Sequence, residues 1–403
     1  MSLELLKEKG TPLDQQRFTW QELAPEPYSK LNVDAFTRVR VILMNGVESD
    51  AVRFSHAAAR VNRGLVPVLA NLRRVEQHQQ TLINWLHPAD QTPLETALGF
   101  EQVAIEVTAS VAQHEPDAYL AQVYRFGMLE DFDHLYRFSA LYDRLEGKDA
   151  NALLQSYTDI LPGRPTSAEH RAPVDDVRQS YDRKLAHPLS KLNALLITAA
   201  EHQTRDYYMT IGPMFADPLA RQLYAEIASI EEQHVTQYGS LSDPDERWLE
   251  KWLLHEAMEV YAYHSCAEAE THPRLKPIWE RFLDYELGHL HLVRRLFEDI
   301  ERRDAAEFLP DRLPAPLDFK SHRDFVRRVL TRELDLRAVG TELVDKAEVP
   351  RASPSNAYRE QMNSAGSPSE TVAAGWRWMP GTELTLDAVT PKRFGTVKEG
   401  LRS

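Results

Sequence analysis

The sequence predicts an all-α protein made of two tandem four-helix bundles packed as an internal pseudo-dimer, followed by a C-terminal helix and a loop-rich extension. Glycine is scarce, with 16 in 403 residues, and alternating runs of β-branched residues are few. Long amphipathic segments with helical periodicity dominate the chain instead. The sequence also repeats itself at an offset of 155 to 156 residues, which indicates a duplicated four-helix unit.

Five segments follow one another along the chain. The linker contains a Leu-Pro-Gly-Arg-Pro stretch and has no apolar period, and the extension contains one basic amphipathic segment, 321–337, before it becomes loop-rich. The predicted segments are an N-terminal arm (1–35), a first bundle (36–148), a linker (149–187), a second bundle (188–303) and a C-terminal extension (304–403).

Four amphipathic segments predict the helices of the second bundle. They are expected at 188–212, 217–240, 246–271 and 274–302. Proline at a helix joint costs no helical hydrogen bond, because the first amides of a helix have no partner within it. The prolines at these joints are Pro213, Pro218, Pro244 and Pro273.

Composition and charge argue against several classes of protein. A net charge of −14 and a pI near 5.6 do not fit non-specific nucleic-acid binding, which needs a basic surface. No stretch has the apolar length of a membrane span, and the N-terminus lacks the apolar core of a signal peptide. The single Cys266 excludes internal disulfides and Cys-x-x-Cys metal sites. These features favour a cytoplasmic location.

Two Glu-x-x-His pairs in the second bundle each follow another glutamate at the same thirty-residue distance. Positions three apart share one face of a helix, so each pair can bind one ion side by side. The equal separation suits antiparallel helices that bring their ligands to the same height. Together these residues predict a carboxylate-bridged site for two iron ions, two manganese ions or a mixed pair in the second bundle. The expected ligands are Glu201, Glu231, His234, Glu256, Glu286 and His289.

Chance and a buried ion-pair network are the alternatives to a metal site. A single Glu-x-x-His pair occurs readily by chance in a chain of this composition, so the repeated spacing carries the prediction. An ion-pair network would need cations that face inward, and Arg205 is the one obvious candidate. Burying four carboxylates without compensation costs more than a marginally stable fold can lose, and a metal pair avoids that cost.

The first bundle is predicted to have an eroded copy of this site. The alignment places Val75 and Asn45 where the second bundle has ligand glutamates, and His78 where it has a histidine. Val75 cannot bind a metal, and Asn45 is a weak neutral ligand. A dinuclear site, a single ion and no metal all stay open, the last with core histidines hydrogen-bonded to neighbouring carboxylates. The candidate residues of this vestigial site are Glu48, His78, Glu101, Asp131 and His134.

Two longer motifs surround the predicted ligands. Glu-x-Gln-x-Arg-x-x-Tyr runs from Glu201 to Tyr208, and Glu-x-x-Glu-x-x-x-Tyr runs from Glu256 to Tyr263. Both are similar to motifs of rubrerythrins, so 188–302 resembles the rubrerythrin branch of the ferritin-like superfamily. The copy at 36–147 resembles it more weakly.

The resemblance implies two metals at the six ligand residues. It also implies that Glu259 is an extra carboxylate able to exchange with a histidine as the oxidation state changes. The alternative for Glu259 is an exposed carboxylate on the helix surface. A rubredoxin-like four-cysteine iron centre, which rubrerythrins usually carry, cannot be made from one cysteine. Electrons would therefore come from an external donor or from the substrate.

These features predict a dinuclear metal oxidoreductase that activates O2 or hydrogen peroxide, either a rubrerythrin-like di-iron peroxidase or an oxygenase with a small organic substrate. A ferroxidase or metal-handling protein and a structural protein with a vestigial metal site are the alternatives. No nucleic acid or membrane partner is expected, and a homodimer is compatible with the sequence. The candidate catalytic residues are Glu259, Tyr208 and Tyr263.

Two tyrosines of the second bundle and two tryptophans of the extension also have expected positions. Tyr208 and Tyr263 lie two turns past Glu201 and Glu256, so both are expected to face the site. They either hydrogen-bond ligand oxygens, relay an electron or serve as ordinary core residues. In the extension, the Trp376 and Trp378 pair is expected to dock on the helices rather than to form a binding motif.

Overall fold

Long helices form the body of the protein in the computed structural model, which describes residues 3–378. Within this range the all-α class is confirmed, with one exception, a two-stranded antiparallel hairpin. The helices are α1 (Trp20–Leu23), α2 (Ala35–Val61), α3 (Val66–Asn84), α4 (Pro93–His114), α5 (Ala118–Glu146), α6 (Ala150–Leu154), α7 (Pro188–Ile211), α8 (Pro218–Gly239), α9 (Trp248–Ala269), α10 (Lys276–Glu301), α11 (Arg323–Glu333), α12 (Pro354–Met362) and α13 (Pro368–Ala373). The strands are β1 (Leu336–Val339) and β2 (Glu342–Asp345).

The eight long helices pack as four hairpins. Helix α2 packs on α3, α4 on α5, α7 on α8, and α9 on α10. Helix α2 also contacts α4, α7 and α9, and α7 also contacts α4 and α9, so α2 and α7 lie at the centre. The four helices predicted between residues 188 and 302 are confirmed as α7 to α10, with small differences at their ends.

Local caps stabilise the ends of the long helices. The Thr92 side chain accepts a hydrogen bond from the Glu95 amide, and the Glu95 carboxylate accepts one from the Thr92 amide. At the start of α8 the Asp217 side chain accepts a hydrogen bond from the Ala220 amide, and Pro218 is the first residue of the helix. Helix α5 ends at Gly147, whose positive φ of 62° favours glycine. Such caps satisfy amides and carbonyls that a helix end leaves without partners.

The crossing of α2 and α7 depends on one small residue. A Cβ atom added at Gly46 would lie 3.0 Å from Gln203 Nε2 and 3.2 Å from the Ala199 carbonyl oxygen. Gln203 donates to the Ile42 carbonyl over 2.8 Å and accepts a hydrogen bond from Asn45. Asn45 therefore joins the two central helices. The sequence alignment placed Asn45 at a position equivalent to the ligand Glu201, and this expectation is wrong because its side chain binds Gln203 instead.

The segments predicted as an arm and a linker pack closely on the long helices. In the arm, the Thr11 amide donates to the Asp284 carbonyl of α10 over 2.9 Å. In the linker, Arg164 and Glu169 are buried, and the Arg164 amide donates to the Leu129 carbonyl of α5. Both segments therefore contribute side chains to the interior.

The C-terminal extension contains a hairpin and two short helices, α12 and α13, where the sequence predicted loop-rich chain. The basic helix expected at 321–337 is confirmed as α11, but it ends at Glu333, and β1 begins at Leu336. A tight turn at Gly340, with a positive φ of 55°, returns the chain as β2. The turn residues Gly-Thr between two short apolar runs were the available signal.

Trp376 docks as expected. Its ring packs edge-on against Tyr136 at 4.9 Å, and its Nε1 donates to Asp143. Residues 379–403, the end of the predicted extension, lie outside the described range. Within residues 3–378, no helix combines the length and the apolar character that crossing a bilayer requires.

Candidate metal centres

Buried acidic and histidine side chains gather at two places among residues 3–378. In each place the ligand-type atoms form two overlapping groups, and the atoms of one group all lie within 4.8 Å of one another. All of these side chains are buried. The two-histidine cluster consists of Glu101, Asp131, His134, Glu201, Glu231 and His234. The one-histidine cluster consists of Glu48, Glu76, Glu256, Glu259, Glu286 and His289.

The six ligands predicted for a single site in the second bundle are divided between these clusters. The α7–α8 hairpin supplies three of them to the two-histidine cluster, where they meet residues of α4 and α5. The α9–α10 hairpin supplies the other three to the one-histidine cluster, where they meet residues of α2 and α3. The expectation of one site within the second repeat is therefore wrong. Amphipathic spacing predicts which face of a hairpin is buried, but not which other hairpin covers it.

The two imidazoles of the two-histidine cluster direct their Nδ1 atoms at the same carboxylates. His134 Nδ1 lies 3.0 Å from Glu231 Oε1, and His234 Nδ1 lies 3.3 Å from Glu231 Oε2. Asp131 Oδ1 lies 3.9 Å from His134 Nδ1 and 3.1 Å from His234 Nδ1. Asp131 and Glu231 belong to both overlapping groups. The outer carboxylates, one for each group, are Glu101 and Glu201.

This arrangement matches the ligand plan of dinuclear carboxylate proteins. Two helices, α4 and α7, each supply one glutamate, and the other two, α5 and α8, each supply an acidic residue three positions before a histidine. Glu101, Asp131 and His134, which the sequence assigned to a vestigial site, complete the set. They are full members of the two-histidine cluster, so the vestigial assignment is wrong for them.

Further buried carboxylates hold the outward nitrogens of both histidines. His134 Nε2 lies 3.0 Å from Glu169 Oε2, and His234 Nε2 lies 2.8 Å from Glu130 Oε2. A carboxylate at this place accepts the Nε2 hydrogen and leaves the Nδ1 lone pair facing the cluster. Both rings are therefore held in the orientation that a metal ligand requires.

Several carboxylate oxygens of the two-histidine cluster are buried without a hydrogen-bond donor. Both oxygens of Glu201 and one oxygen of Glu101 are in this state, and His234 Nδ1 also has no hydrogen-bond partner. Burial raises the pKa of Glu101 and Glu201 well above the usual range of glutamate. Burial alone would also raise the pKa of Glu231, but the neighbouring His134 and His234 outweigh it and lower that pKa.

The residues present fit a pair of metal ions. Buried polar groups in folded proteins nearly always have partners, and no lysine or arginine of residues 3–378 pairs with the carboxylates of either cluster. Arg205, the cation considered in the sequence, is bound on the surface to Asp206 and Glu232. The ion-pair alternative therefore has no lysine or arginine and would rest on protonated histidines.

The one-histidine cluster is more acidic. His289 Nδ1 lies 2.9 Å from Glu286 Oε2 and 3.1 Å from Glu76 Oε1, and its Nε2 lies 2.7 Å from Gln16 Oε1 of the N-terminal arm. The position that a second histidine would occupy belongs to Gln79. Its Nε2 donates to Glu48 over 2.9 Å and also contacts Glu286.

Glu259 lies inside the one-histidine cluster. It is 1% exposed, both of its oxygens lack a hydrogen-bond donor, and it groups with Glu48 and Glu76. The alternative of an exposed helix carboxylate is therefore wrong. Burial, followed by the neighbouring carboxylates, raises the pKa of Glu259 well above its usual range.

His78 lies outside both clusters. Its ring packs edge-on against Phe18 at 5.4 Å, and the side chain is half-buried. Glu76 and Gln79 face the cluster in its place, so the expectation that His78 and Val75 occupy ligand positions is wrong. A uniform offset of 155 would have aligned Glu76 with Glu231 and Gln79 with His234. The sequence Glu-Gln-His occurs at 76–78 and again at 232–234, and aligning these two stretches gives the incorrect offset of 156.

Two tyrosines contact the clusters in equivalent ways. The Tyr208 hydroxyl donates to Glu101 Oε1 over 2.5 Å, and the Tyr263 hydroxyl donates to Glu48. Both tyrosines therefore face a cluster carboxylate, and each carboxylate comes from the other repeat. Their catalytic role stays a prediction.

Comparison of the chain with protein-family models, with curated proteins and with solved structures gave no match. The function is therefore inferred from the two clusters and their surroundings.

Proposed function

We propose that this protein is an oxidoreductase that reduces O2 or peroxide at a dinuclear iron or manganese centre in the two-histidine cluster. The observation that carries this proposal is the set of buried carboxylate oxygens without donors around two inward-facing imidazole nitrogens. Oxygen-rich ligand sets with imidazole suit iron or manganese better than copper or zinc. A bound pair of such ions supplies electrons to the oxidant and recovers them from a reductant.

The overlap of the two groups suggests how the six residues would divide. Asp131 and Glu231 belong to both groups, so they would be shared between the ions. Each ion would then have one histidine and one outer glutamate of its own. These pairs are His134 with Glu101 and His234 with Glu201.

The surrounding residues support the chemistry without binding metal. Glu169 and Glu130 hold the two imidazoles by their Nε2 atoms, and burial of the cluster excludes bulk water. Tyr208 holds its hydroxyl proton at Glu101 Oε1. Tyr208 also lines a surface cavity of about 280 Å³ beside Met209 and Gly212, which we propose as the entrance for the oxidant or a small organic substrate.

The electron donor is proposed to be a separate partner. The chain has one cysteine, Cys266, and it is buried, so a cysteine-bound iron centre within these residues is excluded. A reduced small protein or a reducing organic substrate would supply the electrons.

Metal handling is a second candidate, favoured by the one-histidine cluster. Five carboxylates and one imidazole form a harder ligand set than that of the two-histidine cluster. Both oxygens of Glu76 and of Glu259 are buried without a donor, which supports a second metal centre there. A centre with only one imidazole would suit the binding or oxidation of an incoming ion.

Metal analysis tests the binding part of the proposal. Protein reconstituted with iron or manganese should hold about four equivalents per chain, two at each cluster. Glu231→Ala should lose the ions of the two-histidine cluster, whereas the matched control His78→Ala should keep all four. A parent protein without bound metal, or equal losses in both variants, would contradict the proposal.

Redox kinetics test the functional part. Reduced, metal-loaded protein mixed with hydrogen peroxide or O2 in a stopped-flow spectrometer should be reoxidised. Glu231→Ala should abolish the fast phase if the two-histidine cluster reacts. Reoxidation that instead disappears in Glu259→Ala would assign the reaction to the one-histidine cluster and favour metal handling. Absence of any reaction would favour a structural role for the metals.

A further inference from the structure

A basic cavity lies beside the two-histidine cluster, in a protein whose net charge is −14. It has a volume of about 220 Å³ and is enclosed by α5, the segment 149–187, β1 and the chain around α12. Glu130 is the one acidic residue of its lining. The cationic residues of the lining are Arg164, Arg171, Arg337, Lys346, Arg351 and Arg359.

The cations of this cavity exceed their carboxylate partners. Arg337 donates to the backbone carbonyls of Leu334 and Leu336, and Arg359 donates to the side chain of Asn356. Within residues 3–378, neither guanidinium has a carboxylate within ion-pair distance. Arg171 also pairs with Asp176, and Lys346 pairs with Asp335, so the six cations share three carboxylates. The excess of positive charge in a partly enclosed space favours an added anion.

Buried guanidinium groups in the cavity wall keep unused donors. Arg164 is fully buried, and its Nε has no hydrogen-bond partner. Arg171 is 4% exposed, and one of its terminal nitrogens is also without a partner. The ring of Phe126 lies under Arg164, with the guanidinium carbon 3.9 Å from the ring centroid, and fixes its plane. Buried donors of this kind are normally satisfied by protein, water or a ligand.

We propose that this cavity binds a small molecule with at least two negative charges on carboxylate or phosphate groups. Guanidinium groups bind both oxyanions through paired N–H donors, so several of them in one cavity favour a multiply charged ligand. The volume lies below the usual range for drug-sized ligands, so it suits a small dianion rather than a nucleotide.

One carboxylate connects this cavity with the two-histidine cluster. Glu130 Oε1 accepts hydrogen bonds from Arg164 over 3.0 Å and from Arg171 over 2.5 Å. Its other oxygen, Oε2, lies 2.8 Å from His234 Nε2. A ligand bound to the two arginines is thus separated from a histidine of the cluster by a single side chain. Binding and metal occupancy are expected to influence each other through it.

The cavity also gives a role to the C-terminal extension. Arg337 lies on β1 and Arg359 lies on α12, and both elements follow the eight long helices in the chain. They close the cavity over the buried pair Arg164 and Arg171. The extension therefore supplies half of an anion site whose other half belongs to the segment between the repeats.

Calorimetric titration of the full chain with inorganic phosphate and with succinate tests the proposal. At least one of these anions should bind at a single site with a Kd of about 1 mM or tighter. Arg337→Ala and Arg359→Ala should each weaken binding roughly tenfold, the scale of one lost charged hydrogen bond. Arg332→Ala, an exposed position on α11, is the matched control and should bind as the parent does.

The two anions distinguish the source of the charge. Binding of phosphate alone assigns a phosphate-bearing ligand, and binding of succinate alone assigns a carboxylate-bearing one. No binding of either anion to folded protein would overturn the proposal. An equal loss of affinity in Arg332→Ala would overturn it too, because it would indicate attraction to general surface charge. Titrating metal-free protein as well as metal-loaded protein keeps the result independent of the proposed oxidoreductase activity.

Discussion

Gln79 of α3 accounts for much of the chemical difference between the two clusters. It lies where α8 has His234, so one cluster has two imidazoles and the other has one. The side-chain amide of Gln79 donates a hydrogen bond to Glu48. In the other cluster, Nδ1 of His234 has no hydrogen-bond partner. A single substitution of this kind changes the ligand set without changing the helices. The two clusters are therefore expected to differ in metal affinity and redox behaviour.

Tyr208→Phe tests whether the tyrosine hydroxyl assists the two-histidine cluster. The change removes the hydrogen bond to Glu101 and leaves the ring packing intact. Metal content should stay near that of the parent, and reoxidation by peroxide should slow by about tenfold or more, as for other supporting groups at metal sites. Tyr238→Phe is the control, because Tyr238 is equally buried and its hydroxyl has no hydrogen-bond partner. Equal rates for both variants would make Tyr208 an ordinary core residue.

Glu106 should make the stability of the fold depend on pH. Burial, only partly offset by hydrogen bonds from Thr158 and the His322 amide, raises the pKa of Glu106 from 4.5 to about 8. The neutral form is thus favoured in the fold, so the parent loses stability as the pH rises from about 4.5 and the loss is complete above about 8. The change is at most about 1.4 kcal/mol for each pH unit of that window.

Glu106→Gln should remove this dependence. The variant should match the parent near pH 4.5 and become increasingly more stable than it towards pH 8, as measured by denaturant unfolding. Glu280→Gln, at an exposed position of α10, is the matched control for the loss of a carboxylate. A constant difference for Glu106→Gln would show that this carboxyl titrates alike in the folded and unfolded chains.

At the scale of elements, the N-terminal arm completes the one-histidine cluster. Gln16 contacts His289 Nε2 and donates to the carbonyls of Thr11 and Tyr285, so the arm is bound along α10. This approach requires Gly288, because an added Cβ would overlap the Thr11 carbonyl. A segment that looks like a terminal arm in the sequence therefore orients a candidate metal ligand.

Gly288→Ala should displace the arm. Overpacking of this kind costs typically about 1–3 kcal/mol, so the unfolding midpoint should fall and the first residues should become sensitive to protease. Metal loss should be confined to the one-histidine cluster. Gly64→Ala is the control, because nothing lies within 4 Å of a Cβ added there. Unchanged proteolysis in Gly288→Ala would show that the arm is held by other contacts.

At the scale of the whole molecule, the two repeats depend on each other. Each cluster takes one hairpin from each repeat, so neither repeat contains a complete ligand set. The segment 149–187 adds Glu169 to the two-histidine cluster, and its burial ties the repeats further. The protein is therefore expected to unfold as one cooperative unit rather than as two bundles.

Separate expression of residues 1–147 and 148–403 tests this dependence. Neither fragment should bind metal as the full chain does, because each would leave carboxylates and apolar helix faces without partners. Mixing the two fragments should restore metal binding and a single unfolding transition. Binding of two metal ions by 148–403 alone would support the self-contained second bundle that the sequence suggested.

The long helices and most residues of the two clusters could be predicted from the sequence alone. Periodicity and prolines act within a few residues, so α7 to α10 could be placed closely. The acid-x-x-His pairs are equally local, since residues three apart on a helix always share a face. Glu201, Glu231 and His234 could therefore be recognised as inward-facing candidate ligands before their partners were known.

Only the tertiary structure decided which ligands meet. An apolar helix face can be covered by several hairpins of similar pattern, and choosing among them depends on packing between residues far apart in the chain. Gly46 allows α2 and α7 to cross closely, a contact that no local pattern shows. The same holds for Glu169 and for the arginines around Glu130, which have no motif in the sequence. Their role follows from long-range burial, where a charged group must find its partner wherever the fold brings one.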